Sequence, residues 1–467
     1  MCFGLRCSSA ATTTILGQLI NRKHSFRPQT SDFRPDPFDT SESVVIACVA
    51  MVKPPLRILS WLYLNLCCLV LVTLSASYAP LNPDNQTGNP GNLAVGARVG
   101  GEPLTESVGA SAVRHVPVYA VSGRFGGWPA NHGLWSWGNE ILVGFSAGYY
   151  KDLGPERHNI DRQKPEEHLL ARSFDGGETW VVEDPSLHGA LIPTGKVLHG
   201  IAPAGLQEKP WRDCPGGIDF MHPDFAMTLR MTDVNVGPSR FYYSTDRGHR
   251  WEGPFRLPMF GQRGVAARTD YLVTGPRDCL LVLTASKSSG GEGRPFCART
   301  TDGGRTWQFV SWINENPKGY AIMPSTVRLS DRELLTAIRC RDEANARIET
   351  YRSLDDGRHW KLENVPAPDL GAGNPPSMIR LKDGRVCLTY GHRAAPFGIR
   401  GRLSKDGGRT WEPEIILRDG GGGQDIGYPR TAQRPDGKVV TIYYFHDQTK
   451  GDRSIAATIW DAAEKVP

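Results

Sequence analysis

Five stretches decide the fold: SFDGGETW at Ser173–Trp180, STDRGHRW at Ser244–Trp251, TTDGGRTW at Thr300–Trp307, SLDDGRHW at Ser353–Trp360 and SKDGGRTW at Ser404–Trp411. Each puts Ser or Thr first, Asp third, Gly fifth and Trp eighth, and successive starts lie 71, 56, 53 and 51 residues apart. A fixed motif recurring at about 50 residues is the mark of a radial repeat, one unit per four-stranded blade. The motif itself reads as a hairpin turn. Its Asp accepts backbone N–H groups, its Gly supplies a positive φ, and its Trp covers the joint with a neighbouring sheet. Asp175, Asp246, Asp302, Asp355 and Asp406 are therefore read as structural, not catalytic.

Ahead of the later boxes stands a second recurrence: PSTVRLSDRELLTAIRCR from Pro324, PSMIRLKDGRVCLTYGHR from Pro376 and PRTAQRPDGKVVTIYYFHD from Pro429. Alternating apolar residues around a DG-type turn predict two antiparallel strands, the innermost pair of each blade. This places blades near 117–190, 215–258, 266–314, 320–366, 375–418 and 427–463, the sixth without a box. A strand from the segment around 110–122 closes the ring by completing the last blade. The expected class is all-β, a six-bladed β-propeller over 115–467.

Working outward, the N-terminus is read apart from the fold. From Met51 the chain runs MVKPPLRILSWLYLNLCCLVLVTLSASYA, with basic Lys53 and Arg57, an apolar run from Ile58 to Leu74 and small residues before Ala79. This pattern predicts an export signal cleaved near Ala79, with an uncleaved anchor as the alternative. Residues 1–79 form an extension and signal, and 80–114 a linker. A secreted, periplasmic or cell-surface monomer is expected. From residue 80 on, Lys and Arg exceed Asp and Glu by only 47 to 45, so nothing calls for a nucleic-acid partner. Cys214, Cys279, Cys297, Cys340 and Cys387 show no metal-like spacing and are read as small buried hydrophobes. His132, His222 and His392 are too scattered for a zinc site, and no metal or other cofactor is expected.

A six-bladed propeller carrying several S/T-x-D-x-G-x-T-W boxes resembles the sialidase (neuraminidase) superfamily over roughly 115–465. The resemblance implies a retaining exo-α-sialidase acting on sialylated or other acidic glycoconjugates. A sugar carboxylate at the anomeric carbon would be met by arginines, attacked by a tyrosine hydroxyl paired with a glutamate, and served by an aspartate as acid/base. GQDIGYPRTAQRPDGKVVTIYY resembles the segment bearing the nucleophile, which nominates Tyr428. LLTAIR resembles a strand ending in a carboxylate-binding arginine, which nominates Arg339, with Arg341 on the same face two residues later. In YGHRAAPFGIRGRLS both Arg393 and Arg400 qualify.

Two positions depart from the family pattern. The first arginine of the family would stand two residues before Pro129, where this chain has Gly127, and Arg124 is nearest. The glutamate expected about 15 residues before Arg339 falls at Pro324. Glu292, Asp270 and Glu349 are the candidates to polarise Tyr428 in its place. Arg268, Asp270 and Tyr271 open an inner strand of the third blade, with Lys287 and Glu292 after the next one, and charged groups at such strand ends suit the floor of an axial cleft. In GPERHNIDRQKPEEHLLARS, Asp161 is the nominated acid/base, beside Glu156, Glu166 and Glu167. Trp128, Trp135 and Trp137 are placed near the mouth, with blade packing favoured over sugar stacking. The rival expectations are a propeller that binds a glycan or protein without chemistry, and a hydrolase of another acidic sugar.

Overall fold

The computed structural model describes residues 113–195, 201–448 and 450–462. The signal, the anchor alternative and most of the linker lie outside the described residues. Among the described residues, six antiparallel sheets follow one another along the chain. Blade 1 comprises Arg124–Gly127 with Leu134–Trp137, then Glu140–Tyr149, Glu167–Ser173 and Val181–Glu183. Blade 3 has the same plan: Val265–Ala266 with Tyr271–Gly275, then Asp278–Ser286, Glu292–Thr300 and Gln308–Trp312. Blade 4 (Tyr320–Arg328, Leu334–Arg341, Ala346–Ser353, Lys361–Ala367) and blade 5 (Ser377–Arg380, Val386–His392, Gly398–Ser404, Ile415–Arg418) are simple four-stranded meanders. Blade 6 contains Gly427–Gln433, Val439–Phe445 and Ser454–Trp460, and its outer strand is Arg114–Tyr119 from the other end of the fold. The ring therefore closes through the expected strand.

The boxes explain the spacing of the blades. In the first, the Ser173 hydroxyl donates to Asp175 at 2.8 Å and accepts the Gly177 N–H at 2.7 Å. Asp175 also accepts the Thr179 N–H and hydroxyl, while the Trp180 indole N–H returns to the Gly177 carbonyl. The bonds of the hydroxyl, the Asp and the glycine recur around Asp302 and Asp406, whereas the Trp411 indole N–H donates to the Asn364 side chain instead. The fifth-position glycine has positive φ in every box. It also seats on the preceding part of the ring: Gly248 faces Leu142 of blade 1 and Gly408 faces Leu335 of blade 4, where a Cβ would come within 2.5 Å of the leucine. An arginine just before three of the boxes clasps the next box. Arg172 donates to the Arg247 carbonyl, Arg299 pairs with Asp356, and Arg352 donates to the Gly407 carbonyl.

Blade 2 departs from expectation. It holds three strands, Ala226–Met231, Ser239–Ser244 and Glu252–Arg256, and its box follows the second of them. The described residues thus include no innermost strand for this blade. The backbone of Ala226–Met231 finds side chains instead: Met227 N–H donates to the Tyr271 hydroxyl and Leu229 N–H to the Thr269 hydroxyl. Residues 267–270, which interrupt the inner edge of blade 3, are in this way part of how blade 2 is completed. All five cysteines after residue 113 are free and buried, as read from the sequence. No helix among the described residues is long and apolar enough to cross a membrane.

At Asp302 burial alone would raise the carboxyl, but bonds from the Thr306 hydroxyl and N–H outweigh it and hold it at about 2. Asp406 is held at about 2 in the same way, first by the Thr410 hydroxyl. A depressed folded value means that the boxes stabilise the fold above the unfolded carboxyl range near ~3.9 and lose that contribution as pH falls toward the folded value. The melting temperature should therefore drop steeply below about pH 4. Asp406→Ala should cost about 1–3 kcal/mol in denaturant unfolding and flatten that acid decline.

Candidate active site

The inner edges of three blades carry the same backbone device. Trp128, Met323 and Tyr428 have φ of 59°, 55° and 52°, and each is followed by a proline, at 129, 324 and 429. In blades 4 and 6 the ladder slips here, between Ile322 and Ser325 and between Gly427 and Arg430. A proline cannot donate to the ladder, and the bulge leaves room for it. Left-handed backbone at bulky residues costs about 1–2 kcal/mol each, and such strain persists only where the surroundings enforce it. Here the Tyr428 N–H is fixed by the Asn374 side chain at 2.9 Å. All three side chains line one cleft of about 650 Å³ at the axis, together with His158, Asn235, Arg268, Lys287, Glu292, Tyr320 and Arg339.

Tyr428 is buried at the floor, and its hydroxyl accepts a hydrogen bond from Arg339 Nη1 at 3.2 Å. The Arg393 guanidinium lies 5.2 Å from the centre of the same ring. Burial alone would raise this phenol, but the charges of Arg339, Arg393 and Arg268 outweigh it and hold it below the ordinary tyrosine value. Arg339 and Arg268 keep unused donors, with both Nε atoms buried and unpaired. Arg393 is largely committed: it donates to the Ile426 carbonyl at 2.9 and 2.8 Å, to the Gly373 carbonyl at 3.2 Å and to the Tyr444 hydroxyl at 2.6 Å. It supports the strand that carries Tyr428 and lines a side recess of about 230 Å³, which shares His158 and Arg339 with the cleft.

The other nominated residues separate in space. Arg400 pairs with Glu414 and Asp419, so of the two blade 5 arginines it is Arg393 that stands beside Tyr428. Arg124 pairs with Glu167 over the Tyr149 ring and lines neither cavity. Arg341 is exposed and lines only the side recess of the two. Glu292 lines the cleft and pairs with Arg268. Asp270 lies outside the cleft lining, where it accepts the Thr326 N–H and hydroxyl and ties blade 3 to blade 4. Burial pushes its carboxyl up to about 7 against the pull of Arg430. Glu349 accepts from Arg347 and the Tyr351 hydroxyl on the third strand of blade 4. Trp135 packs on Trp251 and donates to Tyr271, and Trp137 lies under Arg247, so of the three tryptophans Trp128 alone lines the cleft.

The blade 1 loop does reach the site, through a different residue. Asp161 accepts from Lys151 and the Gln163 N–H and is not in the cleft lining, whereas His158 is. His158 Nδ1 lies 2.7 Å from Asp425, a buried carboxylate that also accepts from Asn159 N–H, Arg453 and the Tyr444 hydroxyl. Burial would raise Asp425, but His158, Arg453 and the Asn159 N–H keep it well below the carboxylate range. Both residues stand in segments singled out above, GPERHNIDRQ and GQDIGY. Their pairing across 267 positions had no local signal. Among the described residues no group of three or more His, Cys, Asp or Glu is arranged to hold a metal.

A family model described as a BNR repeat-like domain matches residues 227–441. In fold, the chain is a six-bladed β-propeller of the kind seen in sialidases. Among solved structures, a protein of unknown function from Dyadobacter fermentans superposes with a TM-score of 0.56 at 21% identity, over 75% of this chain and 99% of that one. The K499G mutant of the NanB sialidase from Streptococcus pneumoniae gives 0.50 at 12%, over 74% and 70%. The alpha-L-arabinofuranosidase Arb93A from Fusarium graminearum gives 0.46 at 10%, over 75% and 99%. No curated protein matches the sequence.

The cation cage of this propeller makes a spectroscopic prediction that needs no substrate. In an ultraviolet pH titration, the wild-type protein should show one tyrosine ionising below the ordinary range near ~10. Tyr428→Phe should remove that transition. Arg339→Met should move it upward, and an unmoved transition would show that the cage does not act on Tyr428.

Proposed function

We propose that the protein is an exo-α-sialidase-like glycoside hydrolase that releases a terminal sialic or related acidic sugar from a glycoconjugate, with retention and with Tyr428 as nucleophile. The observation that carries this reading is the convergence of Arg339, Arg268 and Arg393 on Tyr428 at the floor of an open axial cleft. An anionic sugar needs cationic donors to hold it, and a carboxylate nucleophile would be repelled by it; a phenol supported by guanidinium groups meets both demands. Arg339 and Arg268 take the substrate carboxylate, and Arg393 keeps the Tyr428 backbone in place. Tyr428 attacks the anomeric carbon to give a sugar–tyrosine bond, which water then cleaves.

Among the described residues Glu292 is the one carboxylate in the cleft lining, and it stands in for Asp161 as the acid that protonates the departing oxygen. A substrate carboxylate that takes Arg268 releases Glu292 from its ion pair and leaves it facing the sugar. Trp128 and Tyr320 offer apolar faces to the ring. The export signal read at residues 51–79 fits a glycan met outside the cytoplasm.

A second reading, a propeller that binds acidic glycans without cleaving them, has one observation in its favour. Met323 lines the cleft beside Pro324, where the resemblance would put a glutamate, and a thioether cannot accept the nucleophile's proton.

A fluorogenic α-sialoside, run beside a panel of other acidic-sugar glycosides, tests the two. Release by the wild-type protein, lost in Tyr428→Phe with folding retained, is the expected result. Binding without release across the panel would establish the second reading. Arg339→Ala should weaken acidic-sugar binding by about 1.5–3 kcal/mol, measured calorimetrically.

A further inference from the structure

Attack by Tyr428 sets free a proton that its arginine neighbours cannot take. The need grows as substrate binds. A carboxylate on Arg339 and Arg268 cancels much of the charge that favours the phenolate, and burial then drives the phenol back toward its neutral form. Met323 has no group to accept the proton, and Asp270 and Glu349 are bonded elsewhere.

We propose that His158, oriented by Asp425, is the base that accepts the Tyr428 proton and returns it when the sugar–tyrosine bond is cleaved. This rests on the hydrolase reading above. The imidazole and the phenol meet edge to face, with ring centres 6.0 Å apart in one cleft. Nδ1 is held by the buried Asp425, so Nε2 is the nitrogen left for proton transfer. The Asp425 carboxylate is in turn fixed by Arg453 at 3.0 Å, the Asn159 N–H at 2.9 Å and the Tyr444 hydroxyl at 2.9 Å. The edge of the Trp128 ring limits the imidazole on another side, with centres 5.2 Å apart. His158 is the catalytic residue here, and Asp425 a positioning residue.

Protons balance over the cycle. Glu292, freed from Arg268 by the substrate carboxylate, first takes a proton from solvent; as the tyrosine oxygen then bonds to the anomeric carbon and the bond to the aglycone oxygen breaks, the phenol proton moves to His158 Nε2, and the aglycone leaves with the proton of Glu292. When water attacks, the tyrosine oxygen departs and recovers its proton from the imidazolium, and the proton of the water restores Glu292. The charged and titratable groups around His158 are Asp425, Tyr444, Tyr428, Arg393 and Arg162. Burial, aided by Arg393 and Arg162, outweighs Asp425 and keeps the imidazole below its ordinary value, hence in its base form at neutral pH. That form is lost as pH falls through the lowered value.

The test compares wild type, His158→Gln and Asp425→Asn on two aryl sialosides, one with a good and one with a poor leaving group, across the pH range in which imidazoles titrate. His158 lies partly exposed at the cleft, so its replacement leaves the core intact, and unchanged melting of His158→Gln serves as the control. Expected is a loss of kcat/KM of about 10²–10⁴-fold by the same factor on both substrates, with the acid limb of the wild-type profile gone in His158→Gln. Added imidazole should restore part of the rate in His158→Ala. Undiminished turnover in His158→Gln, or a loss confined to the poor leaving group, overturns the assignment while the hydrolase reading stands. A wild-type protein that cleaves nothing on the panel removes the hydrolase reading, and the base with it.

Discussion

Everything in this propeller hangs on a carboxylate that closes a turn. In each box the Asp gathers N–H and hydroxyl donors that a tight reversal would otherwise leave unpaired, and the fifth-position glycine then presents a bare backbone to the neighbouring part of the ring. A side chain there would collide with Leu142 or Leu335. The turn thus both links the last two strands of its blade and seats the joint with a neighbouring one. The arginine before the box extends the joint, reaching from one blade to the box of the next. Blade angle is set at these contacts, and with it the ring closure that brings inner strands from distant parts of the chain to one axis.

At the axis the same economy of backbone shapes the cleft. Left-handed residues ahead of Pro324 and Pro429 bulge two inner strands, a third ahead of Pro129 ends the first strand of blade 1, and Trp128, Met323 and Tyr428 line one shared cleft. Blade 4 then adds Arg339, blade 3 Arg268 and the end of the second strand of blade 5 Arg393, so that three cations from three sheets act on one phenol. Such crowding of like charge is unfavourable without an anion nearby. The protein offsets it only in part, through Glu292 and the carbonyls of Gly373 and Ile426. Charge that remains unsatisfied inside an open cleft is the physical basis for expecting an anionic ligand.

Much of this was legible in the residues, for local reasons. The box is a contiguous octapeptide whose turn is closed by bonds among its own Ser or Thr, Asp and Gly residues, so its sequence is sufficient to announce it. The inner strand pairs announce themselves by period-two alternation around a DG turn, and the closing strand near residue 115 by the sixth blade's lack of a fourth strand. Tyr428 and Arg339 were nominated because the segments around them resemble those of the sialidase superfamily, and the structure brings the two together in one cleft. Blade 2 was misjudged because its inner edge is completed by Thr269 and Tyr271, hydroxyls from another blade.

The sequence by itself therefore determined the all-β class, six blades and, outside blade 2, the order of strands, since these follow from turns and alternation over a few residues. Which of Arg393 and Arg400 faces the axis, the placing of Asp270 outside the cleft lining, and the meeting of His158 with Asp425 were decided only by tertiary structure. Arg393 and Arg400 lie seven positions apart around one hairpin, yet one meets Tyr428 of blade 6 and the other meets Glu414 and Asp419 at the outer strand of its own blade. A side chain's partner across a ring depends on how every blade in between is angled, and no short stretch of chain carries that information.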